Sequence, residues 1–128
     1  MTIRQILESM ALSVEKEITA IDSIRSLLIM KAAEASEVLV VAPNSRVADQ
    51  IRSEIDSIAQ VKTLEFLAWE TLPHERLSPS ADVVGRRLAT LRRLRHADED
   101  HQNRIQVVVA PIRALLQPLV AGIADLTP

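Results

Sequence analysis

Val38-Leu39-Val40-Val41-Ala42 is an unbroken apolar run closed by Pro43. A strand solvated on one face alternates apolar with polar residues, whereas a continuous run marks a strand covered on both faces. Ile105-Gln106-Val107-Val108-Val109-Ala110, closed by Pro111, reads the same way apart from Gln106. Between these two runs the spacing changes to that of helices. Asn44 or Ser45 caps a helix whose apolar face is Val47, Ile51, Ile55 and Ile58. A strand is expected over Thr63–Leu67. After an irregular stretch at 68–80, Ser80 caps a helix from Ala81 to Arg95, buried through Val84, Leu88, Leu91 and Leu94. Upstream, the β-branched Glu17-Ile18-Thr19-Ala20-Ile21 predicts a strand and 23–35 a helix, while Ile3, Ile6, Leu7 and Met10 predict an N-terminal helix at about 2–12. Downstream of a polar loop at 96–104 and the 105–110 strand, a short helix begins at Pro111 and is limited by Pro118. Strands alternating with helices imply crossover connections. The expected fold is α/β, a mostly parallel sheet with helices on both faces, and residues 1–128 form a single domain or part of one.

The chain has 128 residues, 48% of them hydrophobic, and a net charge of −2. That length suits one domain with a real core, and the balance argues against disorder and against a globally basic nucleic-acid binder. With no cysteine there is no disulfide framework and no thiolate chemistry. No apolar run approaches the ~18 residues that span a bilayer, and Met-Thr-Ile-Arg-Gln is not followed by a signal-peptide core. The expectation is a cytoplasmic protein with no membrane partner. Gly85 and Gly122 are the only glycines, and Phe66 and Trp69 the only aromatics.

Most catalytic motifs fail on inspection. A Walker A loop gathers backbone N–H groups and a lysine around phosphates. Its place before the first long helix is Ile18-Thr19-Ala20-Ile21-Asp22-Ser23-Ile24-Arg25, without glycine or lysine, and Asp22 repels a phosphate. Ala20, Asp22 and Ser23 therefore mark an ordinary turn, with Asp22 or Ser23 as helix cap. Asp98-Glu99-Asp100-His101 resembles a helicase acid box but follows a basic helix end rather than an apolar strand. His74-Glu75-Arg76-Leu77-Ser78 is half a zinc-protease motif with serine in place of the second histidine. His96 and His101 with Asp98 and Asp100 fit no standard ligand spacing. No serine occupies a GxSxG elbow, and the acids of a response-regulator receiver are missing from the strand ends. No catalytic residue, metal ligand or cofactor site is expected.

Arg86, Arg87, Arg92, Arg93 and Arg95 crowd one helix. Two readings stand: a solvated face paired with acids such as Asp98 and Glu99, or a contact with a phosphate backbone or an acidic protein surface. Without interleaved aromatics there is no base-stacking platform.

The stretch Phe66-Leu67-Ala68-Trp69-Glu70-Thr71-Leu72-Pro73-His74-Glu75-Arg76-Leu77-Ser78-Pro79, with Asp82-Val83-Val84-Gly85-Arg86-Arg87-Leu88-Ala89-Thr90-Leu91, resembles the N-terminal region of bacterial transcription-repair coupling factors (Mfd). Val38–Pro43 and Val107–Pro118 resemble the same family, and the arginine-rich form is similar to actinobacterial members. The resemblance covers roughly residues 15–128 and implies a degenerate P-loop helicase-like partial domain, the first part of a module similar to UvrB domain 1a. It implies a parent protein that is an ATP-dependent DNA translocase, which displaces RNA polymerase stalled at DNA damage and recruits nucleotide excision repair through UvrA. The ATP and magnesium, like the contacts with UvrA, polymerase and double-stranded DNA, would belong to other parts of that protein. The tyrosine-rich DNA hairpin of UvrB has no counterpart here, since the chain has no tyrosine.

On this reading the chain is a non-catalytic N-terminal segment that packs against the remaining domains. Trp69, Glu70, Leu72, Pro73, Arg76 and Pro79 form a family motif expected to pin a loop on the sheet, with Glu70 pairing Arg76. An apolar sheet edge left open would promote self-association. The alternative is a stand-alone small α/β module that binds a nucleotide, or DNA through its arginines.

Overall fold

The apolar run Val38–Ala42 forms an edge strand. The computed structural model describes residues 5, 17–58, 61–71, 77–96, 105–119, 121–122 and 125. Its elements are α1 (Asp22–Ala35), β1 (Val38–Ala42), α2 (Ser45–Ile58), β2 (Thr63–Glu65), α3 (Ala81–Arg95), β3 (Val107–Pro111) and α4 (Ile112–Leu116). The strands form one parallel sheet in the order β1-β3-β2. Val38 lies opposite Val107 and Ala42 opposite Pro111, while Thr63 pairs with Val107 and Glu65 with Val109. The α/β class and parallel sheet read from the sequence are present.

β3 sits at the centre because it has no face to spare for water: Val107, Val109 and Ala110 are fully buried. Alternation along the strand sends its side chains to two different cores. On one face Val107 and Val109 pack with Ala33 of α1 and Ala48, Ile51 and Ile55 of α2. On the other, Ala110 packs with Phe66 and with Ala114 of α4, joined by Val108, Ala68 and Leu91. Helices thus cover both faces, but unevenly. Leu39 is 56% and Val41 48% exposed on β1, whereas Val38 and Val40 pack on the core beneath α1 and α2, so the opposite face of this edge strand lies open and the cover on both faces expected for the run is absent here.

Several local expectations need correction. Residues 17–21 form no strand; they run extended into α1. β-branched residues favour a strand only where a neighbour and a half-buried face exist, and here Glu17, Thr19, Ala20 and Ile21 are exposed. The cap of α1 is Ile21, without a side-chain hydrogen bond, rather than Asp22 or Ser23. Asn44, not Ser45, caps α2, its Oδ1 accepting from the Val47 amide at 2.9 Å. The strand expected over 63–67 ends at Glu65, although the Phe66 amide continues the ladder to the Val109 carbonyl at 2.9 Å. Ser80 caps α3 as expected, accepting from the Val83 amide. That helix, however, is rotated from its predicted face. Val83, Arg87 and Thr90 are its buried residues, whereas Val84, Leu88 and Leu91 are only half-buried and Leu94 is exposed. The helix expected at 2–12 lies outside the described residues apart from Gln5.

Candidate functional site

Four residues separate Phe66 from Thr71, and this short segment leaves the end of β2 across the outer face of the sheet. Arg87 of α3 rises to meet it. Its guanidinium carbon lies 4.2 Å from the Phe66 ring centroid and 4.4 Å from that of Trp69. One of its N–H groups donates to the Leu67 carbonyl, and the same Nη1 lies 3.4 Å from Gln117 Oε1. Gln117 accepts from the Trp69 amide at 2.7 Å and lies 3.5 Å from the Trp69 carbonyl through Nε2. Arg113 of α4 donates to the Thr71 carbonyl at 3.3 Å. The Ser80 amide donates to Glu70 at 3.3 Å, so the segment is fastened to the start of α3 as well.

Trp69 and Glu70 are therefore held in one network. Pro79 lies half-buried just before the cap of α3. Leu72, Pro73 and Arg76 lie outside the described residues, and so does the expected Glu70–Arg76 pair.

Arg87 corrects the reading of α3 as a row of solvated arginines. It is 1% exposed, and its Nε and Nη2 have no hydrogen-bond partner among the described residues. Burial pulls its pKa below the ordinary value. The two rings that face it offset part of that cost, because an aromatic face attracts a desolvated cation.

The other arginines of α3 divide. Arg86 donates to Glu65 Oε2 at 3.2 Å. Arg92 is half-buried and Arg93 exposed, and Arg95 lies 3.5 Å from Asp125. Asp98 and Glu99, their expected partners, lie outside the described residues.

Sequence reading missed Glu65. Its side chain is buried at the end of β2, where Arg52 of α2 reaches it at 3.4 Å and Arg86 of α3 at 3.2 Å. Its backbone carbonyl also accepts from the buried Thr90 hydroxyl at 3.0 Å. Burial pushes the Glu65 carboxyl up from the ordinary 4.5, and a hydrogen bond and charge from Asp49 add to this, against Arg52 and Arg86. A single carboxylate in a β-like run was the available signal.

The turn into α1 is a shallow cleft lined by Ile18, Ala20, Ile21, Asp22, Arg25, Leu28 and Ile29. Asp22 lies 4.0 Å from Arg25, which also faces Glu54 of α2 at 3.8 Å. Ser23 is exposed beside them. Ser26 and Gln50 donate to Glu54, and these bonds, Ser26 first, lower its pKa below 4.5. No group of three metal-ligating side chains occurs among the described residues. Among them, too, no helix is long and apolar enough to cross a membrane.

No family model matches the chain. It is similar to the transcription-repair-coupling factors of Mycobacterium bovis and Mycobacterium tuberculosis, each 39% identical over 107 residues. That match covers 83% of this chain and 9% of each relative. The Escherichia coli transcription-repair-coupling factor is 29% identical over 83 residues, covering 65% of this chain and 7% of the relative. Over most of its length the chain is thus similar to a segment of the transcription-repair-coupling factors, and it spans about a tenth of the length of the curated relatives it matches.

Proposed function

We propose that this chain acts as a non-catalytic framework segment of a transcription-repair coupling factor, the first part of a UvrB-like N-terminal module. In this reading the parent is a cytoplasmic ATP-dependent DNA translocase that displaces stalled RNA polymerase and recruits nucleotide excision repair through UvrA. Its other domains hold ATP and magnesium and contact double-stranded DNA. The observation that carries the reading is the 39% identity over 107 residues to the mycobacterial factors.

Two features support a framework role. The approach to α1 offers a phosphate Ala20, Asp22 and Ser23, where a nucleotide site needs glycines and a lysine. The Trp69 segment is tied inward by Arg87, Gln117 and Arg113, which suits a loop that stiffens the domain.

The test has two parts. Thermal melting of the chain with and without ATP and magnesium should coincide; a stabilisation of a few degrees would favour a nucleotide-binding module. Replacing the matching segment of the Mycobacterium tuberculosis factor with this chain should preserve ATP-driven displacement of a stalled polymerase. A folded chimera that hydrolyses ATP but displaces no polymerase would sink the reading.

A further inference from the structure

α2 and α3 both lie against the sheet, but they are held by different forces. The buried residues of α2 are Ala48, Ile51 and Ile55, an apolar stripe on the Val107 and Val109 side chains. The buried residues of α3 are Val83, Arg87 and Thr90, two of them polar. Its ties to the sheet side are largely hydrogen bonds: Thr90 to the Glu65 carbonyl, Arg86 to the Glu65 carboxylate, and Arg87 to the Leu67 carbonyl. The apolar Val84, Leu88 and Leu91 are only half-buried.

The balance between closed and open states follows from this composition. Lifting α2 would expose a continuous apolar core, whereas lifting α3 would expose the smaller cluster around Phe66 and Leu91, with Val83, and would otherwise trade protein hydrogen bonds for water ones. For Arg87 the exchange is favourable at two atoms. Its Nε and Nη2 are buried without partners, and opening would hydrate both together with the charge. Elements with few buried apolar contacts open locally while the rest of a domain stays folded.

We propose that α3 is a displaceable cover, clasped on the outer face of the sheet by Thr90, Arg86 and Arg87, which opens as a unit while α1, α2 and β3 remain folded. Opening uncovers Phe66 and the Arg87 guanidinium, both buried in the closed state, beside the half-buried Trp69, and so presents an aromatic and cationic surface.

Native-state hydrogen exchange on the full 128-residue chain tests this without any substitution. Amides of Arg87–Leu91 should exchange at least ~10-fold faster than those of Ile51–Ile55, as expected for a sub-global opening. Thr90→Val removes one bond of the clasp and keeps the side-chain volume. It should accelerate α3 exchange further and leave the Ile51–Ile55 amides unchanged. Equal protection of α2 and α3, or an equal acceleration of both by Thr90→Val, would overturn the proposal, since α3 would then open only with the whole domain.

Discussion

The Arg87 guanidinium carbon sits 4.4 Å from the centroid of the Trp69 ring, with Phe66 at 4.2 Å completing the aromatic enclosure. A cation enclosed in this way contributes through its ring contacts and its bond to the Leu67 carbonyl, against the cost of burying it. Arg87→Ala is expected to destabilise the chain by about 2–4 kcal/mol, measured by urea unfolding followed through Trp69 fluorescence. Arg87→Met, which fills the space without a charge, should cost less. A Met variant as damaged as the Ala variant would show that the charge itself matters more than the packing.

Glu65 and Glu54 predict opposite responses to acid. The Glu65 pKa is raised in the fold, so its contribution to stability is present below the unfolded value near 4.5 and is lost as pH rises through the folded value. The Glu54 pKa is lowered, so its contribution is present above the unfolded value and lost as pH falls through the folded one. Glu65→Gln should therefore gain on the native chain between about pH 4 and pH 7, whereas Glu54→Gln should fall behind over the same interval. Urea titrations at the two pH values read both effects, and parallel behaviour of the two variants would contradict the assignment.

Asn44 is the side-chain cap of α2, accepting from the Val47 amide at 2.9 Å. Asn44→Ala should lower stability by ~1 kcal/mol and Asn44→Gly by only a few tenths. A thermal melt in which both variants match the native chain would remove the cap from the account.

Leu39 and Val41 stand exposed on one face of β1, an edge strand that is apolar throughout and carries no charge of its own. Such an edge invites contact with other polypeptide. The chain is expected to self-associate as its concentration rises, and Val41→Lys to shift light scattering towards the monomer. A native chain that stays monomeric at every concentration would contradict this.

The strands were legible because their signal is local. Val38–Ala42 and Val107–Ala110 are continuous apolar runs, which mark strands; full cover on both faces, which such a run also implies, holds for β3 and not for the edge strand β1. The caps at Asn44 and Ser80 were legible for the same reason, since a side chain and the amide three residues on decide each. Residues 17–21 misled because β propensity describes a residue's fit to a sheet and not the presence of a neighbouring strand.

The sequence by itself determined the α/β alternation, the parallel sheet and the resemblance to coupling factors. Only the tertiary structure decided which of five similar arginines goes inside. Arg87 is buried while Arg93 is exposed because Phe66 and Trp69, brought over α3 by the end of β2, offer two ring faces to one helical position. Helical periodicity counts arginine as polar and places it outward, and that enclosure exists only once segments about twenty residues apart have packed together.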